Sequence, residues 1–170
     1  MPLKEIVITH FRNLTRVSFS PNSEMNLIVG PNGSGKTSVL EGIYFLGRAR
    51  SFLTNKSRGF IQHGEKSCTV FGGVAAKNEG LSLSIGVSRT LEGMNKIKVA
   101  GDYVRTSAPL LELLPIQVIS PGAFSLLNGG PSGRRQFTDW GVFHVEHAFL
   151  ESWRKFSRCL KQRNSLLRKG

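Results

Sequence analysis

The stretch Gly30-Pro31-Asn32-Gly33-Ser34-Gly35-Lys36-Thr37 decides how this chain is read. It fits G-x-x-x-x-G-K-[ST], the spacing of a phosphate-binding loop. Three glycines within six positions let the backbone curl, because glycine reaches positive φ without a Cβ clash. Curled N–H groups converge on an anion, and the positive end of a following helix adds to the field. On this reading Gly30 to Thr37 cradle the phosphates of ATP, Lys36 reaches the terminal ones, and the Thr37 hydroxyl holds Mg²⁺.

The flanks fit the same unit. Asn26-Leu27-Ile28-Val29 predicts a short buried strand running into the loop. Residues 38–46 predict a helix with Val39, Leu40, Ile43 and Leu46 on its buried face. Strand, glycine loop and helix is the order the motif requires.

Upstream, residues 5–9 and 16–20 predict strands joined by a polar turn at Arg12-Asn13. Downstream of the helix, Gly47-Arg48-Ala49-Arg50-Ser51-Phe52 is an aperiodic basic loop. Residues 68–75, 81–87 and 95–99 alternate as strands, with turns at 78–80 and 92–93. Three successive strands make an antiparallel meander rather than a βα crossover. Residues 109–114 predict a short helix ended by Pro115, and Ile116–Ile119 a buried strand. Helical spacing begins at Phe124–Leu127, Gly129–Gly133 is a sharp loop, and a helix restarts at Arg134. Residues 148–169 predict one long helix. Its apolar stripe, Phe149, Trp153, Phe156, Leu160 and Leu167, is expected to pack on its own domain.

With 170 residues, 39% of them hydrophobic, the chain suits a globular core and not general disorder. No apolar run approaches the roughly 20 residues a membrane helix needs. The first residues lack an apolar signal core, so the cytoplasm is the expected compartment. Cys68 and Cys159 sit in unlike settings and are expected to be free thiols. His144 and His147 lie three apart without a third ligand nearby, which argues for packing rather than a metal site. The net charge is +12, concentrated at both ends: 8 basic and 3 acidic side chains in residues 1–60, and 9 and 3 in residues 132–170. Such an excess attracts polyanions through counterion release, and nucleic acid is the natural candidate. Arg48 and Arg50 are the DNA-contact candidates.

Hydrolysis by such enzymes normally uses an apolar strand ending in Asp, which supports Mg²⁺. None of the 11 acidic residues ends such a run. The expectation is therefore a truncated polypeptide, or one that binds nucleotide without efficient turnover.

Further motifs carry a family resemblance: Phe11-Arg12-Asn13-Leu14, Ser38-Val39-Leu40-Glu41, Leu126 to Pro131, Arg134-Arg135, Asp139 to His144, and Leu160-Lys161-Gln162-Arg163-Asn164. With the phosphate loop, they make the chain similar to the N-terminal part of the RecF family, in the SMC-like branch of ABC-type ATPases. The resemblance implies an α/β P-loop NTPase: an ABC/SMC-like head lobe with an antiparallel β insertion and a helical C-terminal segment. Residues 1–120 would form the nucleotide-binding lobe, with the insertion at about 66–100, and residues 121–170 the start of an incomplete helical second lobe. It implies that ATP joins two heads into a homodimer on DNA, single-stranded or at a junction with duplex. RecO, RecR and RecA are the implied partners, in DNA repair, replication and the SOS response to DNA damage. By position Arg12 and Asn13 resemble residues lining the nucleotide, and Gln117 resembles the residue meeting Mg²⁺ and water. The parent would be a weak DNA-dependent ATPase, with this piece inactive alone. The loop by itself also permits a stand-alone nucleotide-binding enzyme or small-molecule kinase.

Overall fold

The computed structural model describes residues 3–75, 82–119, 130–146 and 148–168. The turn expected at 78–80, the helical start at Phe124–Leu127, Gly129 and His147 lie outside the described residues. The chain divides into two units, residues 1–118 and 119–170.

The first unit is built on a six-stranded antiparallel sheet. Its strands are β1 (Leu3–Phe11), β2 (Leu14–Phe19), β3 (Ser67–Ala75), β4 (Ser82–Thr90), β5 (Asn95–Val99) and β6 (Asp102–Val104), in the order β2-β1-β3-β4-β5-β6. The meander is antiparallel as its alternation implies, and β3 pairs along β1, so all six strands share one sheet. Helix α1 (Lys36–Arg48) packs on one face, and α2 (Ala108–Leu113) packs against α1. Period-two alternation sends Ile6, Ile8, Val70, Val74, Ile85, Val87 and Ile97 into the core. Phe11, Phe45 and Phe60 form its centre, with ring centroids 5.4–5.6 Å apart. Each such burial contributes about 1.5–3 kcal/mol.

The buried face of α1 is centred differently from the expected one: Leu46 is buried and Val39 and Ile43 pack against the core as expected, but Leu40 does not join them. Ser38, Glu41, Gly42, Phe45 and Leu46 face the sheet, while Leu40 is half exposed. Counting only apolar residues misses this face because a glutamate and a glycine stand at its centre. Glu41 is tolerated because it is paired, and Gly42 because a Cβ there would lie 2.7 Å from Ile8.

Two expected strands are not formed. Asn26–Val29 is irregular, and Met25, Leu27 and Val29 are 83%, 84% and 76% exposed. β1 is already flanked by β2 and β3, and no strand among the described residues pairs with this segment. Ile116–Ile119 likewise enters no sheet; Gln117 is exposed and Ile119 is 91% exposed.

The second unit holds α3 (Pro131–Val145) and α4 (Phe149–Leu167). Pro131, Ser132 and Gly133 open α3 instead of lying in a loop, since proline suits the first helical turn. The long helix forms as expected, but the packing of its stripe does not: α4 has no buried residue, and Phe156 is 64% exposed. Trp153 Nε1 donates to Asp139 across the two helices at 3.2 Å. His144 packs edge-on against Trp140, with ring centroids 4.8 Å apart.

Both cysteines are free, Cys68 buried and Cys159 exposed. Burial pushes the Cys68 thiol up to about 12. A folded-state value raised above the unfolded one of about 8.5 stabilises the fold fully below pH ~8.5. That contribution fades as pH rises toward 12. At pH 8 a thiol reagent should label Cys159 within seconds and Cys68 only on unfolding. Two equally fast thiols in the native chain would contradict the burial of β3.

Candidate functional site

The glycine loop meets α1 at Gly35, which caps the helix with φ 95°. A Cβ there would lie 2.7 Å from Leu14 Cδ2 and 3.2 Å from Asn13 Nδ2, so both conformation and space require glycine. No side chain caps the N-terminus of α1, and its first turn holds no acidic residue. The orphan N–H groups of that turn are therefore open to an anion. Lys36 Nζ donates to the carbonyls of Gly30 and Pro31, both at 2.8 Å, placing a cation at the mouth of the loop. Thr37 is exposed at the same helix end. These features suit the phosphates of a nucleotide, with Lys36 and Thr37 as the groups that would hold the phosphates and their metal ion.

The hairpin β1–β2 delivers Arg12 and Asn13 to this loop. Phe11 pairs with Leu14, leaving Arg12-Asn13 as a two-residue connection. Arg12 adopts φ 53°, a conformation usually left to glycine in such turns. Several contacts hold it there. The Arg12 N–H donates to the Phe60 carbonyl at 2.7 Å. Its guanidinium forks onto Glu41, with Nη2 to Oε1 at 2.9 Å and Nε to Oε2. Asn13 Nδ2 donates to the Gly33 carbonyl at 3.1 Å, and the Ser38 hydroxyl donates to Asn13 Oδ1 at 2.8 Å. Asn13 thus bridges the loop and the first turn of α1.

Glu41 is the residue that reading the sequence missed. It is fully buried, and it also accepts from the Ser51 hydroxyl. Ser51 Oγ in turn accepts from the N–H groups of Leu53 and Thr54 at 2.9 and 3.0 Å, fixing the loop after α1. The hydrogen bonds that Arg12 donates to Glu41 raise it above its ordinary value, against the opposing pull of partial burial. The available signal was spacing: Ser38, Glu41, Gly42 and Phe45 fall at i, i+3, i+4 and i+7.

The other candidates sit elsewhere. Arg48 and Arg50 lie at the far end of α1, roughly 18 Å from Lys36 at 1.5 Å per residue. Arg48 is half-buried over the Tyr44 ring and donates to the Ile116 carbonyl at 3.3 Å, whereas Arg50 is exposed. No hydrogen bond or ion pair among the described residues joins Gln117 to the loop. Among the described residues no cluster of His, Cys, Asp and Glu is arranged to hold a metal, and no helix is long and apolar enough to cross a membrane.

The chain is similar to known proteins over nearly its whole length. The DNA replication and repair protein RecF of Pseudomonas fluorescens (strain Pf-5) is 49% identical over all 170 residues, and that of Azotobacter vinelandii 48%. The chain spans 46% of each, under half the length of these curated relatives. A solved structure of the recombination mediator RecF with ATP, from the RecFOR pathway, aligns with a TM-score of 0.84 at 29% identity, over 99% of this chain and 45% of that one. An SMC ATPase structure aligns at 0.63 over 82% of this chain and 99% of that one; at 17% identity it speaks for the fold alone. The fold is that of a P-loop NTPase head. The family model described as the RecF/RecN/SMC N-terminal domain matches residues 2–131, and the chain belongs to that family.

Proposed function

We propose that this chain is the nucleotide-binding N-terminal lobe of an ATP-dependent DNA-binding protein of recombinational repair and replication restart. The observation that carries it is the junction at Asn13: one side chain ties the glycine loop to an uncapped helix end beside Lys36 and Thr37. Gly30 to Thr37 bind the phosphates, Thr37 meets Mg²⁺, and Arg12 and Asn13 line the nucleotide. RecF relatives 48–49% identical support the assignment to DNA repair and replication. In the longer parent, ATP joins two copies on DNA, RecO, RecR and RecA are the partners, and the compartment is the cytoplasm. The parent turns ATP over weakly, with Gln117 as the candidate beside Mg²⁺ and water.

The test is direct binding. Calorimetry should detect ATP with Mg²⁺ bound at one site per chain. An oligonucleotide should bind with an affinity that falls about 10²-fold between 50 and 200 mM salt, as neutralising roughly four phosphates demands. Absence of nucleotide binding at millimolar ATP would remove the reading.

A further inference from the structure

At the opposite end of α1 from the glycine loop, the first unit carries an open groove of about 550 Å³. The C-terminal end of α1 and the free edge of the sheet build it. Among the described residues five cationic side chains line it, Arg48, Arg50, Arg89, Lys96 and Arg105, and no carboxylate does. None of the five forms an ion pair with a carboxylate among the described residues. Five unneutralised cations around one concavity repel one another, and that arrangement persists most cheaply where an anion joins them.

The groove is built rather than accidental. Arg89 and Asn95 stand opposite each other in the β4–β5 ladder. Asn95 Nδ2 donates to the Ala49 carbonyl at 3.3 Å, tying β5 to the end of α1, and Arg89 Nε donates to Ser57 Oγ at 3.1 Å. Arg48 Nε is buried without a hydrogen-bond partner among the described residues, and burial holds Arg48 below its ordinary value. An anion in the groove restores the stabilisation that this burial removes. Tyr103 is 68% exposed at the rim, with Lys98 Nζ 4.5 Å from its ring centroid.

We infer that this groove binds the phosphate backbone of a nucleic acid, with Arg48, Arg50, Arg89, Lys96 and Arg105 as phosphate contacts and Tyr103 as a surface on which a base stacks. The inference rests on the reading of the chain as part of a DNA-binding protein. It adds a site distinct from the nucleotide cradle and gives the meander a function. The chemistry favours nucleic acid over an acidic protein segment. Guanidinium forks suit phosphate and carboxylate alike, but an open basic groove with an aromatic at its rim is how single strands are held without sequence preference.

The test compares two charge reversals in the 170-residue chain, using labelled single-stranded and duplex oligonucleotides of equal length. Lys96→Glu/Arg105→Glu changes exposed positions in the groove, and Lys161→Glu/Arg163→Glu makes the same change on exposed positions of α4. The groove pair should lose at least about 10-fold more oligonucleotide affinity than the α4 pair, and its salt slope should fall by about 1.5–2. ATP affinity should be unchanged in both, so a failure here and a failure of the nucleotide reading are told apart. In the unmutated chain, bound oligonucleotide should protect Lys96 from acylation more than Lys161. Equal losses in the two pairs, unprotected Lys96, no oligonucleotide binding at all, or a polyglutamate peptide competing as well as an oligonucleotide of equal length would each overturn the inference.

Discussion

Lys36→Ala should weaken ATP binding by about 30- to 1,000-fold while leaving thermal stability almost unchanged. A charge-assisted contact to phosphate in a partly enclosed site is worth about 2–4 kcal/mol, which sets that range. The fold loses little because, among the described residues, Lys36 Nζ bonds only to the carbonyls of Gly30 and Pro31 in an exposed loop. Those two bonds also shape the expectation. Phosphate oxygens must draw the ammonium away from two carbonyls, so part of the new interaction replaces an old one. The net loss on mutation is therefore expected toward the lower end of the range. Thr37→Ala should act differently, removing the increment that Mg²⁺ adds to ATP affinity and sparing metal-free binding. Calorimetry with and without Mg²⁺ separates the two. Equal ATP affinity in the Lys36→Ala and unmutated chains would show that the loop does not hold phosphate.

The bend of the glycine loop was legible in the sequence because its requirements are local. Gly30, Gly33 and Gly35 answer to backbone conformation, and Lys36 and Thr37 to fixed positions beside them. The meander was legible for the same reason, since each strand announces itself by alternation. Glu41 was not legible, because a buried carboxylate depends on a partner 29 positions away at Arg12. Nor could pattern alone say which strands have neighbours. Leu27, Ile28 and Val29 have the composition of a strand buried on both faces, and the described residues offer them none. Composition reports the environment a segment suits, and a lone segment cannot make that environment. The α4 stripe teaches the same point: Trp153, Phe156 and Leu160 fall on a helical period, yet periodicity states only that one face is apolar.

Arg12→Ala should destabilise the first unit by about 3–5 kcal/mol, far more than an ordinary surface arginine, because it strands a buried carboxylate. Glu41 has no exposure to water, and without the arginine fork only the Ser51 hydroxyl among the described residues remains to satisfy it. The midpoint of unfolding should fall by about 10 °C or more. Glu41→Gln keeps the shape and an acceptor for Ser51 but removes the charge, so it should cost less. In the double variant Arg12→Ala/Glu41→Gln no carboxylate is left stranded, and the cycle should show a coupling of about 2 kcal/mol. The consequence for the site follows from the geometry. Arg12 sits at φ 53°, which costs about 1 kcal/mol for a residue with a side chain, and the Glu41 pair helps to hold it there. Relaxing that turn moves Asn13, which carries the hydrogen bonds to Gly33 and Ser38. Glu41→Gln should thus weaken ATP binding even though Glu41 lies beneath the turn and not in the cradle. Rescue by Glu41→Asp is not expected, because the shorter side chain cannot span both Arg12 and Ser51. An Arg12→Ala cost below 1 kcal/mol, or strict additivity in the cycle, would mean that the buried pair neither holds the turn nor supports the loop beside it.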